Sequence, residues 1–339
     1  MKILFFARLF YPYIGGVEKH VLEISKILRK KGHKIIVVTE QYEKNLPLVQ
    51  SYEGVLIYRM PVGSDNWFKK FRIWKWLWQN RSLISNSNVI HCHDVFFWYL
   101  PFRFIFPNKK VFTTFHGYES YPISKKAIVQ RKIAEILSAG NICIGDFIKK
   151  WYGTKADYVI YGGVSIAKSQ KSKVKSQNNS SKIKIILIGR LEDDIGIETY
   201  LEVLRILKTN RVNVLFEAFG DGVLRKEVQE YGKVHGFVSD LTSSIKKADV
   251  IFTSSYLTIL ESLANKKPVI AVYDNDLKKD YLLISPFKKY IYIENSVSKI
   301  TEMLTSKVFN TKKIEEGYSW VQNQTWESIV DTYLNLWKI

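Results

Sequence analysis

Short, continuous apolar runs alternate with helical patterns along the first half of the chain. The runs KILFFA and KIIVVTE are apolar at successive positions, as is typical of parallel strands covered on both faces. The segment between them predicts a helix that ends at Gly32, a residue suited to a C-terminal cap. The apolar stripe of this helix consists of Val17, Val21, Ile24 and Leu28. Strand, helix and strand together predict a βαβ unit.

The same alternation continues through the first half. Further strand candidates are VLIYRM, NVIHCHD, KVFTTFHG, ICIGD and DYVIYGG. Strands that alternate with helices predict a doubly wound parallel sheet. A polar and basic stretch, SIAKSQKSKVKSQNNSSK, then interrupts the pattern. It is typical of an interdomain linker, and a surface loop within one domain is the alternative.

A second series of parallel strands follows this stretch. Its candidates are IKIILIGRL, NVLFEAFGDG, KVHGFV, ADVIFTSS and KPVIAVYD. The pattern therefore predicts two similar α/β domains, residues 1–164 and 182–315, facing each other across a cleft, with a linker over 165–181. A last helix over 316–339 is predicted to cross back to the first domain. Its apolar face consists of Trp326, Ile329, Val330, Tyr333 and Leu336.

Composition supports two folded domains. The chain has 339 residues, of which 46% are hydrophobic and 14% aromatic, enough for two cores. Cys92 and Cys143 cannot form a disulfide framework and lack zinc-finger spacing, which favours a reducing cytoplasm. The apolar opening is broken by Arg8 and precedes no small-residue cleavage site, so we predict a first strand and no secretory signal. No apolar run reaches the roughly 18 residues of a membrane-spanning segment.

The formal net charge is +19, and most of the surplus lies in residues 1–165. Such a surplus indicates an anionic partner, namely lipid head groups, nucleic acid or phosphorylated substrates. The alternative is that the charge only keeps the protein soluble. Nucleic acid is not predicted as a partner, because the sequence has no recognisable reader motif.

Aromatic and cationic residues are mixed in the segment DNWFKKFRIWKWLWQNR, residues 65–81, and again in FFWYLPFRFIFPNKK, residues 96–110. Trp and Phe at helical spacing between Lys and Arg are typical of the interfacial zone of an anionic bilayer. We therefore predict that the first domain docks on an anionic membrane surface. A helix packed into the core of that domain is the alternative.

Candidate chemistry lies just past the strands, because ligands of open α/β sheets bind at the carboxyl ends of the strands. Gly15 and Gly16 follow the first strand, where backbone amides can approach a phosphate or sugar, and a plain tight turn fits equally well. His116 stands where a strand gives way to a glycine turn and suits a hydrogen-bond donor, with a satisfied core histidine as the alternative. His91 and His93 share one strand face, but with a single nearby carboxylate no metal site is predicted.

The second half has candidates at corresponding positions. Arg190 follows a strand and precedes a helix, where its guanidinium suits a pair of phosphate oxygens. Asp221, flanked by glycines, follows the next strand and is as much a turn signal as a ligand signal. Glu261 is the single acidic residue of the helix pattern after the strand DVIFT.

In this order, the segments YPYIGGVEKHV, HCHD, TFHGYE, IGRL, GDG, HGFV and LESLANKKPVIA resemble the retaining glycosyltransferases of family 4, which have the GT-B fold. The resemblance covers nearly the whole chain. It implies two Rossmann-like domains that close over a nucleotide-sugar, with the acceptor in the N-terminal domain and the donor in the C-terminal domain.

The resemblance also implies a role for each candidate residue. Gly15 and Gly16 match the glycine loop near the donor phosphates and the acceptor. His116 matches the histidine beside the donor sugar, and Arg190 matches the arginine of the diphosphate clamp. Glu261 matches the glutamate that binds the nucleotide ribose.

The remaining donor-site residues that the resemblance implies are Asp221, Ser254, Tyr256, Leu257 and Thr258. We expect Ser254 or Ser255 to cap the helix that follows, leaving backbone amides free for the diphosphate. Glu261 lies roughly 9 Å along that helix and its β-carbon tilts back toward the same end. A ribose diol would satisfy its carboxylate on a partly apolar stripe, and the alternative is a carboxylate that complements the helix dipole or forms an inward ion pair.

Three positions depart from the family pattern. Thr253 stands where the first of two glutamates is typical, Ile195 replaces the lysine of the cationic clamp, and Gly145 replaces a serine. Either a subgroup holds the donor with backbone amides and Arg190 alone, or the donor site has lost its activity. The retained residues favour activity.

The sequence thus predicts transfer of a sugar from a nucleotide-sugar to a glycan or lipid-linked acceptor, with retention and without a metal or other cofactor. His116 and Arg190 are the catalytic candidates, because His116 would orient the donor sugar and Arg190 would stabilise the departing diphosphate. The predicted location is the cytoplasm, at the inner face of a membrane. A catalytically degenerate protein that binds membranes or glycans is the alternative.

Overall fold

The computed structural model describes residues 1–166, 182–192 and 195–338. Most of the predicted linker, residues 167–181, lies outside the described residues. The chain forms two compact units. The first unit comprises Met1–Ile160 and Trp326–Ile339, and the second comprises Tyr161–Thr325.

The described part of the first unit contains an eight-stranded sheet with the order β3-β4-β2-β1-β5-β6-β7-β8. Its strands are β1 (Lys2–Ala7), β2 (Lys34–Glu40), β3 (Val49–Tyr52), β4 (Val55–Met60), β5 (Val89–His93), β6 (Val111–Phe115), β7 (Asn141–Ile144) and β8 (Tyr158–Ile160). Neighbouring strands are parallel except for β3, which is antiparallel to β4. The predicted doubly wound parallel sheet is confirmed.

Six helices connect these strands in the part of the unit before residue 160. They are α1 (Gly16–Lys30), α2 (Lys69–Gln79), α3 (Ser82–Ser85), α4 (Phe96–Ile105), α5 (Lys125–Leu137) and α6 (Phe147–Tyr152). On α1, the predicted stripe faces the core, since Val21, Ile24 and Leu28 are fully buried. The helix ends before Gly32, whose positive φ of 89° suits glycine.

The second unit has a parallel six-stranded sheet among its described residues, with the order β11-β10-β9-β12-β13-β14. Its strands are β9 (Ile183–Ile188), β10 (Val214–Phe219), β11 (Lys233–Val234), β12 (Val250–Phe252), β13 (Val269–Ala271) and β14 (Tyr292–Ile293). Its helices are α7 (Ile197–Thr209), α8 (Arg225–Gln229), α9 (Thr242–Lys247), α10 (Tyr256–Ala264), α11 (Asp276–Leu283), α12 (Val297–Ser306) and α13 (Thr311–Val321).

The predicted helix over 316–339 is two elements. The helix α13 ends in the second unit at Val321, and the polar turn after it leads into α14 (Trp326–Trp337), which belongs to the first unit and packs on α1. The predicted apolar face of α14 is buried, and so is Trp337 one residue beyond it.

Three glycines bring backbones close together at the carboxyl ends of β9, β10 and β11. The Gly220 amide donates to the Gly236 carbonyl over 2.8 Å, and the Gly189 amide donates to the Phe219 carbonyl over 3.1 Å. Gly220 has a φ of 149°, and a β-carbon there would overlap the Gly189 carbonyl oxygen. Gly220 of the GDG motif therefore has a packing reason to be glycine, whereas a β-carbon at Gly189 or Gly236 would meet nothing closer than 3.5 Å.

Candidate functional site

Histidines gather at the carboxyl ends of β5 and β6 in the first unit. His91 and His93 project from the same face of β5, with ring centroids 5.0 Å apart. Thr114 pairs with His93 in the parallel register, and His116 follows the end of β6. The strand register thus brings together residues that lie about twenty positions apart in the sequence.

A chain of hydrogen bonds connects this cluster to α14. The Trp337 indole Nε1 donates to His91 Nδ1 over 3.0 Å, and His91 Nε2 lies 2.7 Å from Thr114 Oγ1. The Tyr333 hydroxyl lies 2.8 Å from Thr114 Oγ1 and 2.9 Å from His20 Nε2. Because an indole nitrogen can only donate, His91 accepts at Nδ1, carries its hydrogen on Nε2 and donates it to Thr114.

His93 and His116 form a direct pair, with 2.8 Å between His93 Nδ1 and His116 Nε2. His93 Nε2 is buried without a hydrogen-bond partner among the described residues. A buried N–H without an acceptor costs more than a buried lone pair, so we assign the hydrogen of His93 to Nδ1, which donates to His116. His116 then accepts at Nε2 and carries its own hydrogen on Nδ1, for which no acceptor is found among the described residues.

The histidine cluster consists of His20, His91, His93 and His116, and all four are neutral near neutral pH. Burial lowers the pKa of His20 to about 3, and it lowers the pKa values of His91, His93 and His116 well below the ordinary range. The neighbouring imidazoles add to this effect. His116 therefore acts as a neutral hydrogen-bonding group and not as a cation.

Asp94 positions the main chain of His116. Asp94 directly follows β5 and has a φ of 60°, a left-handed conformation that Asp tolerates better than most residues. Its carboxylate Oδ1 accepts the His116 backbone N–H over 2.9 Å. The bond ties the residue after β6 to the end of β5.

Arg131 holds the loop that follows His116, a role that the sequence analysis missed. Its guanidinium Nη2 donates to the Gly117 carbonyl over 2.9 Å and to Glu119 Oε1 over 3.0 Å. The guanidinium also lies 3.7 Å from the ring centroid of Tyr152, whose hydroxyl donates to Glu119. In the sequence, only Glu119 of the segment TFHGYE indicated this arrangement, because Arg131 lies in an ordinary helix pattern.

The glycine loop places a carboxylate at the start of α1. Gly15 is the N-cap residue and Gly16 the first helical residue. A β-carbon at Gly15 would collide with Glu18 Oε2, so glycine leaves the space in which the Glu18 carboxylate lies. Desolvation raises the pKa of Glu18 to about 7, and the negative charge of Asp94 contributes.

This pKa predicts a pH-dependent stability. A carboxyl whose folded-state pKa is raised contributes its stability at low pH and loses it as the pH rises through about 7. Glu18→Gln should therefore stabilise the protein by about 3 kcal/mol relative to wild type near pH 8 and by almost nothing near pH 4. Urea denaturation of both proteins across this range measures the difference. A difference that stays constant with pH would contradict the assignment.

The second unit presents its candidates on three adjacent strands. Arg190 is exposed just after β9, Asp221 follows β10, and Glu261 lies half-buried on α10, which follows β12. In the sheet order, β10, β9 and β12 are neighbours, so their carboxyl ends lie side by side. The candidates Gly15, Gly16 and His116 lie in the first unit, and the others lie in the second.

Asp221 is engaged within its own turn. Its Oδ1 accepts the Gly222 amide over 2.9 Å, and its Oδ2 accepts Arg225 Nη1 over 2.8 Å. These bonds shape the turn after β10, which is the turn signal noted in the sequence.

The expected capping of α10 by a serine side chain is wrong. Ser255 occupies the N-cap position without a side-chain hydrogen bond. The Ser254 hydroxyl instead donates to the Val272 carbonyl over 2.6 Å and accepts the Val272 amide over 3.2 Å, which joins the ends of β12 and β13. The buried Ser254 hydroxyl is therefore engaged between the two strand ends and does not cap the helix.

One expected phosphate ligand of α10 is also occupied. The Tyr256 amide donates to the Tyr281 hydroxyl over 3.1 Å, and the two rings stack with centroids 3.8 Å apart. The amides of Leu257 and Thr258 come next in the first helical turn, where no intrahelical acceptor is available to them. A ligand at this helix end would therefore be held by these two amides.

The residues at the departures from the family pattern are packed. Thr253 is buried, and its Oγ1 accepts the Ser255 amide over 3.3 Å. Ile195 is half-buried against the core of the second unit. Neither position presents a charged group.

Two negative findings concern the described residues. No group of three or more His, Cys, Asp or Glu residues in residues 1–166, 182–192 and 195–338 is arranged to hold a metal ion. None of the helices in these ranges combines the length and the apolar character that a membrane crossing requires.

Comparison with known protein families gives two matches that together span most of the chain. The family model described as Glycosyltransferase Family 4 matches residues 14–168. The model described as Glycosyl transferases group 1 matches residues 168–313.

Individual relatives are distant. An uncharacterized glycosyltransferase of Methanocaldococcus jannaschii is 23% identical over 366 aligned positions, covering 97% of this chain and 96% of the relative. The gpi3 subunit of phosphatidylinositol N-acetylglucosaminyltransferase from Schizosaccharomyces pombe is 22% identical over 232 positions, covering 63% of this chain and 49% of the relative. The chain thus matches about half the length of the yeast protein.

Among solved structures, HepE from Anabaena in complex with UDP is similar to this chain with a TM-score of 0.67. The two sequences are 14% identical, and the superposition covers 99% of each chain. At this identity the likeness shows the fold alone.

Proposed function

The chain belongs to the family 4 glycosyltransferases and has their GT-B fold, and we propose that it transfers a sugar from a nucleotide-sugar to a lipid-linked or glycan acceptor. The observation that carries the donor half of this proposal is the row formed by Arg190, Asp221 and α10. These groups follow three adjacent strands of one parallel sheet, the edge at which such sheets bind ligands.

The donor is proposed to bind along this row. Arg190 would neutralise the diphosphate as it departs, and the amides of Leu257 and Thr258 would donate to its oxygens at the start of α10. Glu261 would accept the two ribose hydroxyl hydrogens. The UDP complex of HepE, a protein of the same fold, supports a nucleotide as a ligand of this chain.

The acceptor is proposed to bind the first unit. The yeast relative is named a phosphatidylinositol N-acetylglucosaminyltransferase, which supports a lipid as the acceptor. A lipid-linked acceptor lies in a membrane, so the proposed location is the cytoplasm at the inner membrane face. The space beside Gly15 holds the Glu18 carboxylate, so the loop of Gly15 and Gly16 is proposed to approach the acceptor and the donor phosphates through its backbone.

His116 is proposed to orient the donor sugar through its Nδ1 hydrogen. A neutral imidazole suits this role because it donates a hydrogen bond without repelling positive charge that develops on the sugar. Transfer with retention and without a metal completes the proposal, in line with the family that the motifs resemble. Cationic stabilisation of the diphosphate then depends on Arg190, since Ile195 is apolar.

The ribose assignment is tested by donor binding. Thermal shifts of the full chain should be measured with UDP-sugars and GDP-sugars, for wild type and Glu261→Gln. Loss of a charge-assisted hydrogen bond should weaken donor binding by roughly 10- to 100-fold. Glu302→Gln, at an exposed position on α12, is the matched control and should bind the donor like wild type. Equal donor affinity of wild type and Glu261→Gln would remove the ribose assignment.

A binding protein without turnover is the second candidate, and the packed positions Thr253 and Ile195 are the observation that favours it. A donor that binds should be hydrolysed slowly by an active enzyme, and transfer should follow when an acceptor lipid is added. Binding without hydrolysis or transfer would favour the second candidate and contradict the first.

A further inference from the structure

Aromatic side chains, six of them exposed and Trp74 half-buried, form a surface on α2, on the two residues before it and on α4 of the first unit. We define the aromatic face by Trp67, Phe68, Phe71, Trp74, Trp78, Phe97 and Phe104. Four of its rings form a row, with centroid distances of 5.4 Å from Trp67 to Phe71, 5.5 Å from Phe71 to Trp74 and 6.2 Å from Trp74 to Phe97. Phe97 and Phe104 share one side of α4 because they are seven residues apart.

The aromatic face is a surface and not part of the core. Trp67 is 69% exposed, Phe68 62% and Phe104 69%. The opposite side of α2 is anchored by Ile73 and Leu77, which are buried. The predicted alternative of a helix packed in the core thus holds for one side of α2 only.

The second predicted segment, residues 96–110, divides in the same way. Four of its aromatic side chains are buried, namely Phe96, Trp98, Tyr99 and Phe102. The alternative of a helix packed in the core therefore holds for these four residues. Only the side of α4 that carries Phe97 and Phe104 belongs to the aromatic face, because the other side covers the sheet.

The aromatic face is held rigidly. Arg72 Nε donates to the Val62 carbonyl over 2.6 Å and its Nη2 donates to the Ser64 carbonyl over 2.7 Å, which ties α2 to the loop before it. The Trp74 indole donates to the Phe97 carbonyl over 3.1 Å, which ties α2 to α4. These bonds fix α2 against the preceding loop and against α4.

Cations lie among these rings. The Lys70 ammonium is 4.1 Å from the Trp67 ring centroid and 5.0 Å from that of Phe71, and the Arg81 guanidinium is 5.0 Å from the Trp78 centroid. The helix α2 has no acidic residue. Asp65, next to the face, is paired with Arg8 and Lys69. The charge of the face is therefore positive.

We propose that the aromatic face inserts into the head-group region of an anionic lipid bilayer. Soluble proteins rarely expose so continuous an apolar patch without a partner, and Trp and Phe between cations suit the boundary between acyl chains and anionic head groups. The inference deepens the proposed function, since it names the surface by which the enzyme reaches a lipid-linked acceptor. Nucleic acid fits less well, because the sequence contains no recognisable reader motif.

Vesicle flotation of the full chain tests the inference without donor or acceptor. Wild type should float with vesicles of phosphatidylcholine and phosphatidylglycerol and remain unbound with phosphatidylcholine alone. The double variant Trp67→Ser, Phe71→Ser should lower partitioning to the anionic vesicles at least tenfold. Ile136→Ser removes an exposed apolar side chain on α5, outside the aromatic face, and should float like wild type.

Lys70→Glu, Lys75→Glu provides a second variant that keeps every ring. It should also bind the anionic vesicles at least tenfold more weakly, and added salt should weaken the wild type in the same direction. Thermal unfolding without lipid should be unchanged in all variants, so a loss of binding would not reflect a loss of folding.

Three outcomes would overturn the inference. They are no flotation of wild type with anionic vesicles, flotation of the aromatic variant at the wild-type level, and tighter binding to a single-stranded oligonucleotide that depends on Trp67 and Phe71. The donor thermal shift is independent of these results. Vesicle binding without a donor response would support the docking surface and contradict the transferase function. A donor response without vesicle binding would support the transferase function and contradict the docking surface.

Discussion

Replacing His116 by alanine should lower the rate of sugar transfer by on the order of 10²-fold while leaving the fold intact. The residue follows β6, its main chain is held by Asp94, and its side chain accepts from His93, so alanine removes one oriented donor and little packing. We expect the loss mainly in kcat, because the proposed contact with the sugar strengthens as charge develops in the transition state. Initial rates at saturating donor and acceptor measure it.

A matched pair of variants tests which ring nitrogen matters. Asparagine places an amide N–H near the position of His116 Nδ1, and glutamine places one near that of Nε2. Because we assign the hydrogen to Nδ1, His116→Asn should retain more activity than His116→Gln. Glutamine activity equal to or above that of asparagine would contradict the assigned tautomer. An alanine variant as active as wild type would remove His116 from the catalytic site.

Gly220→Ala should destabilise the second unit by roughly 3 kcal/mol or more. The added methyl group would overlap the Gly189 carbonyl oxygen, which is backbone and cannot move away as a flexible side chain does. The residue also has a φ of 149°, outside the usual range of L residues. Chemical denaturation of the full chain, followed by circular dichroism, measures the loss.

Gly236→Ala separates the two causes. Gly236 has a φ of 73°, and its nearest neighbour to an added β-carbon would be the Arg225 side chain at 3.8 Å. This variant has strain without collision and should lose about 1 to 2 kcal/mol. Equal losses in the two variants would show that backbone conformation, and not the contact of β10 with β9, makes glycine necessary at position 220.

The strands were predictable where both faces of a strand are covered. In β1 and β2, nearly every position is buried, so the apolar runs are continuous and identify the strands directly. The strand β3 was missed because it is an antiparallel edge strand whose positions alternate between exposed and half-buried. The strand β14 was also missed, and both of its residues are half-buried.

The candidate site was predictable only at the ends of these strands. His116 and Arg190 could be placed because each directly follows a recognisable strand. The helical period placed Tyr333 on the apolar face of α14 and did not include Trp337. It could not show that the Tyr333 hydroxyl lies against His20 or that the Trp337 indole donates to His91. Those bonds join residues separated by more than 240 positions.

The sequence by itself determined the two α/β units, the family and the residues that stand at strand ends, because apolar periodicity and short motifs are local properties of the chain. The tertiary structure decided which hydrogen-bond donors remain available. The Tyr256 amide donates to the Tyr281 hydroxyl, and the neutral His116 is oriented by its hydrogen bond with His93. The tertiary structure also decided which aromatic rings of α2 and α4 face solvent. Both helices have apolar residues on more than one side, and only packing determines which side is buried.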